Sequence, residues 1–442
     1  MFAYYLELAL RSLKRNKLLT VLMVLAIAIG IGASMTTLTV MHLLSGDPLP
    51  GKSAHIYYPQ VDPTPNNSNW QHKYPLPMMD YRSAVDLWSA HRADRQALVV
   101  QSPVKVSAPE VNRPPLMLTM LSTTSDFFPM FDVPFEYGAA WTPADGKDRA
   151  HVAVISSDLN DKLFGGKDSV GKSLRIRNSD VRIVGVLAPW RPHPLFYDAE
   201  GSITGNMSST GYYGKPEDVF MPFFSSMEVN DGNFFQYTCW GGGPTVPGHL
   251  ENAPCVWVAL WVQLDSATKV ADYRAFLTNY AQQQKVLGRF THTETRMLDL
   301  MQWLDYEQVI PSNVKLQTWL AFAFLAICLF NMVGLLLAKF LRRSGEIGVR
   351  RALGASRRSV FAQCLTEAGL IGLIGGIGGW LLTLVGLWLV RRQQTPYSDL
   401  VHMDVSMFVV TFVLAVGVSL IAGALPALRA SRVAPALQLK TL

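Results

Sequence analysis

The sequence predicts a membrane α-helical protein with four transmembrane helices in a 1 + 3 arrangement and a large α+β domain inserted between the first and second. Three observations predict it. Four long runs are almost free of charged residues. The chain between the first two runs is far too long for a loop. Charged residues make up only 16% of the 442 residues, against about 25% in an ordinary soluble domain, so polar surface is too scarce for a wholly soluble chain.

Residues 1–17 come first. Phe2, Tyr5, Leu6, Ala9, Leu10 and Leu13 recur at helical spacing, with Glu7, Arg11, Lys14 and Arg15 on the other side. That pattern predicts an amphipathic helix lying on the membrane surface; the alternative is the frayed start of the first span. Residues 18–44 contain no Asp, Glu, Lys or Arg and form the first span. A signal peptide is the alternative, but an apolar h-region is about 7–15 residues long and no clear Ala-x-Ala site follows. The other spans are 316–338, 365–390 and 406–428. Each reaches the ~20 residues that a helix needs to cross a bilayer core. Buried core helices are usually shorter and keep a polar stripe.

Charge sets the orientation. Residues 1–17, 339–364 and 425–442 hold 14 of the 39 Lys and Arg but only two of the 33 Asp and Glu. Short basic segments beside spans stay in the cytoplasm. Both termini (1–17 and 429–442) and the 339–364 loop are therefore expected inside a bacterial inner membrane, with 45–315 in the periplasm. Arg391 and Arg392 begin the short outer loop 391–405 against this rule, and their long side chains can snorkel. Nucleic-acid binding does not explain basic residues that hug membrane ends.

The outer domain reads as a stalk-proximal part (45–120 and 255–315) around a distal insertion (121–254). Residues 151–155, 173–177, 181–187 and 256–264 read as strands, the last apolar enough to be buried on both faces. Ser156 or Ser157 caps a short helix ending at Phe164, and 267–287 reads as a longer one. Residues 299–314 are apolar at helical spacing and are expected to run as one continuous helix into the second span. Cys239 and Cys255 lie on the oxidising side. A disulfide between them is expected, closing a Gly/Pro-rich loop and contributing roughly 3 kcal/mol in the chain-entropy model; two unpaired thiols are the alternative.

Gly166, Gly171, Lys172 and Ser173 spell G-x-x-x-x-G-K-S. A phosphate loop needs a strand before it and a helix after it. Here the order is reversed, so a plain turn is expected. The nine His pair with no Cys or acid at metal-ligand spacing, so neither a metal site nor a catalytic site is expected.

The 339–364 loop is the informative one. Glu346, Ile347, Gly348, Val349, Arg350, Arg351, Ala352, Leu353, Gly354 and Ala355 suit a short helix stopped near Gly354 or Ala355. Ile347, Arg350, Arg351 and Leu353 are expected to project from it toward a soluble partner. Positive-inside residues alone would explain the charge but not the ordered Gly/Ile/Leu pattern.

This run resembles the E-I-G-x-R-x-A-L-G-A signature of MacB-like (FtsX-type) permeases of ABC transporters. The likeness extends through Asp126, Phe127 and Phe128, the Val152–Ile155 strand with Ser156, Leu163 to Gly165, Val170 to Lys172, and Val219–Pro222. Gln363, Glu367 and the glycines after them resemble the start of the family's third span. Residues 423–432 with Pro435 resemble its C-terminal signature. The resemblance implies a mechanotransmission subunit without chemistry of its own. A cytoplasmic ABC ATPase dimer on another chain would bind ATP and Mg, and this chain would bind no cofactor. Residues 346–355 would be the coupling segment, and 299–314 part of a stalk. A second permease copy, identical or related, would complete the dimer in the lipid bilayer. The MacB branch further implies a periplasmic adaptor and an outer-membrane channel. Export or extraction of a periplasmic or membrane-embedded substrate is the expected output; the alternative is signalling to a periplasmic hydrolase or sensor.

The chain departs from that family. The fused ATPase domain of MacB itself is lacking, residues 189–254 look long and rich in Pro, Gly and aromatics, and 436–440 copy the usual ending imperfectly. In the third span Gly372, Gly375, Gly376 and Gly379 repeat at small-x-x-x-small spacing; packing within one protomer is expected over a dimer seam. Glu367, near the inner end of that span, is expected to pair with a loop arginine such as Arg351, the alternative being a charge left at the interface.

Overall fold

The computed structural model describes residues 2–64, 75–107, 114–199, 211–230, 237–244, 246, 249–393, 397–400 and 405–432. Pro435, the 436–440 ending and parts of the 391–405 loop and of 189–254 lie outside the described residues. In chain order the elements begin with the helices Phe2–Arg15 (α1) and Lys17–Ser45 (α2). There follow Ile56–Gln60 (β1), Tyr81–Ser89 (α3), Arg95–Ser107 (β2), Leu116–Thr123 (β3), Phe127–Met130 (α4), Phe135–Gly138 (β4), Pro143–Lys147 (α5) and Val152–Ile155 (β5). Next come Ser157–Phe164 (α6), Ser173–Ile176 (β6), Ser179–Leu187 (β7), Val219–Pro222 (β8), Phe223–Val229 (α7), Thr238–Cys239 (β9) and Cys255–Val256 (β10). The chain then forms Ala259–Gln263 (β11), Ala267–Val286 (α8), Arg296–Asp299 (β12) and Leu300–Tyr306 (α9). It finishes with Ser312–Arg342 (α10), Ser344–Ala352 (α11), Arg357–Arg391 (α12) and Val405–Ser431 (α13). Residues 46–309 make one compact unit, and 1–45 with 310–442 make the other.

In the first unit a ten-stranded sheet runs in the order β12-β1-β11-β2-β3-β8-β5-β7-β4, with β6 bonded to β2 and β7. The sheet therefore passes unbroken through the boundary expected at residue 121. Strand β2 is the reason. Its first half puts Leu98 and Val100 into a core with Trp257, Leu260, Tyr273 and Leu277. Its second half puts Val104 and Val106 into another with Ile155, Ile176, Ile183 and Val219. Strand β11 is buried at every position, as its unbroken apolar run requires. Ser156 caps α6 by accepting from the Leu159 N–H at 3.1 Å, and Gly165 ends that helix with a left-handed φ of 67°. Residues 166–172 then lead into β6, so a strand follows the G-x-x-x-x-G-K-S run and no helix N-terminus faces it. Cys239 and Cys255 are joined by a disulfide across the β9–β10 pair.

The expected continuous helix over 299–314 is broken. Asp299 caps α9, accepting from the Gln302 N–H at 2.8 Å, but α9 stops at Tyr306. Gln308 takes a positive φ of 50°, and α10 starts afresh after Pro311. Proline supplies no N–H and pushes the preceding Ile310 away from helical backbone, which apolar periodicity alone does not register.

In the second unit α2, α10, α12 and α13 are long and apolar enough to cross a membrane. Their shared core holds Ile27, Ile31, Leu325, Leu336, Ala368 and Ala415. Trp319, Phe330, Val413 and Ile421 face outward, as side chains bathed in lipid do. Helix α12 uses two faces. A Cβ on Gly375 would sit 2.7 Å from Ile27 Cγ2, and one on Gly379 would sit 2.9 Å from Ile31 Cγ2, both on α2. A Cβ on Gly376 would lie 2.8 Å from the Ala415 Cβ, and one on Gly372 would lie 2.5 Å from the Ser419 Cβ, both on α13. All four glycines thus let neighbouring helices of the same chain approach closely. Gly376→Val is expected to destabilise the bundle by about 1–3 kcal/mol, because the rigid Ala415 Cβ cannot swing aside. Unfolding in detergent measures this, and a wild-type midpoint would contradict the packing described. At the far end of α12 the Arg392 guanidinium lies over the Trp388 ring at 4.0 Å.

Candidate functional site

Helix α11 forms over Ser344–Ala352, despite Gly345 and Gly348, between two special positions. Arg343 sits at its N-cap with non-helical backbone. Gly354 stops it with a φ of 102°, and its N–H reaches the Arg351 carbonyl at 3.2 Å. A left-handed residue is cheap only for glycine. Ser356 then caps α12, accepting from the Ser359 N–H at 3.1 Å. The helix is short because its stop and the next start lie two residues apart.

Side chains on one face of α11 tie it to three other helices. Glu346 accepts from Arg15 Nη1 of α1 at 2.7 Å and from Arg343 Nε at 3.0 Å. Burial pushes the Glu346 carboxyl up, but the Arg343 and Arg15 guanidiniums outweigh it and hold the group below its ordinary value. Arg350 Nη1 donates to Gln363 Oε1 of α12 at 3.0 Å. Arg351 Nη1 donates to the Ser431 carbonyl at the end of α13, at 3.3 Å. Ile347 packs on the bundle core. Of the four residues expected to project, Ile347, Arg350 and Arg351 are therefore turned toward the bundle, because each finds an apolar or hydrogen-bonding partner there. Leu353 projects, 84% exposed, and Val349, 43% exposed, joins it. These two apolar side chains, with Ala352, make the outward surface.

Beneath α11 lies a buried ionic cluster. Glu367 of α12 is only 2% exposed and forms an ion pair with Lys339 of α10, which is fully buried. Its other oxygen lies 3.3 Å from Arg343 Nη1. Ser12 of α1 donates to Glu367 at 2.5 Å and accepts from Arg343 at 2.7 Å. A loop arginine such as Arg351 was expected to pair with Glu367; the loop arginine that does so is Arg343, which the start of α11 brings to the carboxylate, while Arg351 reaches α13. Arg343 thus touches both Glu367 and Glu346, linking the buried cluster to α11. Sequence reasoning passed over Lys339 and Ser12. A signal existed, because Lys339 and Arg343 are four apart and share a helix face, and an acid inside an apolar run calls for a cation.

Among the described residues no group of His, Cys, Asp and Glu is arranged to hold a metal.

The family model for a MacB-like periplasmic core domain matches residues 20–280, and that for the FtsX-like permease C-terminal region matches 319–435. The chain belongs to the MacB-like, FtsX-type permeases of ABC transporters. This permease is 24% identical over 311 residues to an uncharacterized ABC transporter permease, YvrN, of Bacillus subtilis, covering 70% of this chain and 67% of that protein. It is 26% identical over 310 residues to the pyoverdine export ATP-binding/permease protein PvdT of Pseudomonas syringae pv. tomato, covering 69% of this chain but 40% of that protein. The permease therefore spans less than half the length of that ATP-binding relative. The periplasmic region of MacB from Actinobacillus actinomycetemcomitans aligns with 59% of this chain and 94% of its own, at 12% identity and a TM-score of 0.35. The permease thus has four transmembrane helices with a periplasmic-type α/β domain between the first and second.

Proposed function

We propose that this permease couples ATP hydrolysis by a partner ABC ATPase dimer to movement of its periplasmic domain, and so drives export or extraction of a periplasmic or membrane-embedded substrate. Helix α11 is the docking segment, on the cytoplasmic side with both termini. One observation carries this reading. Helix α11 is braced to α1, α12 and α13 by Glu346, Arg350 and Arg351, while Val349 and Leu353 stand bare on its outer face. Isolated apolar side chains on a braced helix suit insertion into a groove of a soluble partner. ATP and Mg belong to that partner. A second permease copy completes the assembly, and a periplasmic adaptor with an outer-membrane channel would carry the substrate onward. Relatives named for pyoverdine and macrolide export support export over pure signalling.

Val349→Asp combined with Leu353→Asp is expected to abolish co-purification of the co-expressed ATPase. Both positions are surface positions, so the unfolding midpoint should move by no more than about 0.5 kcal/mol in stability. ATPase retained at the wild-type level by the double variant would end the assignment of α11.

A further inference from the structure

We propose that a cleft in the periplasmic-type domain binds a small amphipathic anion, an aromatic body carrying a carboxylate or similar acid. The cleft is separate from α11 and has a volume of about 540 Å³, within the usual size of small-molecule sites. Its position follows from local structure. Helix α3 brings Trp88 to the rim, and its ring lies 5.8 Å from His91 and 5.7 Å from Phe224 at the start of α7. Opposite, Thr142 caps α5 in a reciprocal capping box with Asp145. That fixed turn holds Trp141 on one side and Lys147 on the other. Strand β3 ends at Thr123, which also lines the cleft.

Two properties select the ligand class. The walls supplied by Trp88, Trp141 and Phe224 are aromatic, which suits a flat apolar body. The charged residues that line the cleft are the cations Lys147 and Arg149, and among the described residues no Asp or Glu lines it. Arg149 is engaged by Glu228, whereas Lys147 has no ion-pair partner among the described residues and is free to meet an anion. A cation would meet like charge at the rim, and a purely apolar molecule would leave Lys147 without a counter-charge.

The test uses the full chain in lipid nanodiscs without ATPase or nucleotide, so it does not depend on the coupling function. The probe is 1-naphthoate, followed by saturation-transfer NMR against empty nanodiscs. A Kd of about 1 mM or tighter is expected for a ligand of this size. Lys147→Glu is expected to weaken binding about tenfold, and Trp88→Ala, which removes an aromatic wall, should weaken it several-fold. Naphthylmethylammonium, with the same ring and opposite charge, should bind about tenfold more weakly than naphthoate. A naphthoate signal no greater than that of empty nanodiscs would overturn the proposal. So would wild-type affinity in both variants, or equal binding of the cation. Unfolding midpoints of the two variants, expected unchanged for the exposed Lys147, separate loss of the site from loss of the fold.

Discussion

Glu367→Ala is expected to cost the helical bundle about 3–5 kcal/mol, the usual penalty for leaving a buried ion without its partner. The magnitude follows from burial. Lys339 is fully buried and Glu367 nearly so, while Arg343 is 17% exposed. Removing the carboxylate leaves an ammonium enclosed among helices, and Ser12 loses its acceptor. The exposed pair of Glu346 with Arg15 is a different case. Both side chains there are substantially in water, so that pair contributes at most about 1 kcal/mol. The two clusters should therefore respond very differently to alanine. A second variant isolates the cause: Glu367→Leu with Lys339→Met removes both charges and should lie close to wild type, since an apolar replacement of a buried pair is often neutral. Denaturant unfolding in detergent, run on both variants, measures this. Should the single and double variants prove equally stable, the ionic account of this cluster fails.

The second large effect concerns Glu217 and pH. Burial raises its carboxyl to about 7. Tyr197 Oη donates to it at 2.7 Å, and Gln101 also donates; both bonds pull the value down, and neither offsets the loss of water. The folded state therefore keeps a proton that the unfolded chain releases near its ordinary value of 4.5. The stability associated with that proton is fully present below pH about 4.5 and is lost as pH rises to about 7, after which the curve is flat. A shift of this size corresponds to roughly 3 kcal/mol. Glu217→Gln stays neutral at every pH. The variant is expected to be more stable than wild type at pH 8, by up to ~3 kcal/mol, with the advantage shrinking toward pH 5. Thermal unfolding of both proteins across that range checks the sign as well as the size. A constant difference between them would remove the titration from the explanation.

That carboxylate also anchors the part of the chain that departs most from its family. Tyr197 stacks on Trp190 at 5.6 Å, and its carbonyl accepts from Trp261 Nε1 at 3.2 Å. Phe196 lies 5.0 Å from Phe131. The aromatic side chains Phe196 and Tyr197 are therefore core material for the domain. Composition cannot show this, because aromatic side chains serve equally in cores and on binding surfaces.

Much of α11 was legible in residues 344–356. The Gly354 stop and the Ser356 cap are local chemistry, encoded within a few positions, and the short helix between them follows. The face it turns outward was not legible. Ile347, Arg350 and Arg351 look like presented side chains in a row of letters, but α12 and α13 supply Gln363 and the Ser431 carbonyl to two of them. The cleft at Trp88 and Trp141 was invisible for a related reason, since its walls come from positions up to 136 residues apart in the sequence.

The order of spans and domain was determined by the sequence alone, because solvent preference is additive along the chain. Twenty apolar residues demand a bilayer wherever they occur, and 270 residues between two such runs must fold. Partner choice was decided by the tertiary structure, because a charge pairs with whichever opposite charge the packing brings within a few ångströms. Glu367 could be read as an acid needing a cation. That Lys339 and Arg343 meet it, while Arg351 turns to α13, depends on where α10 stops and α11 begins.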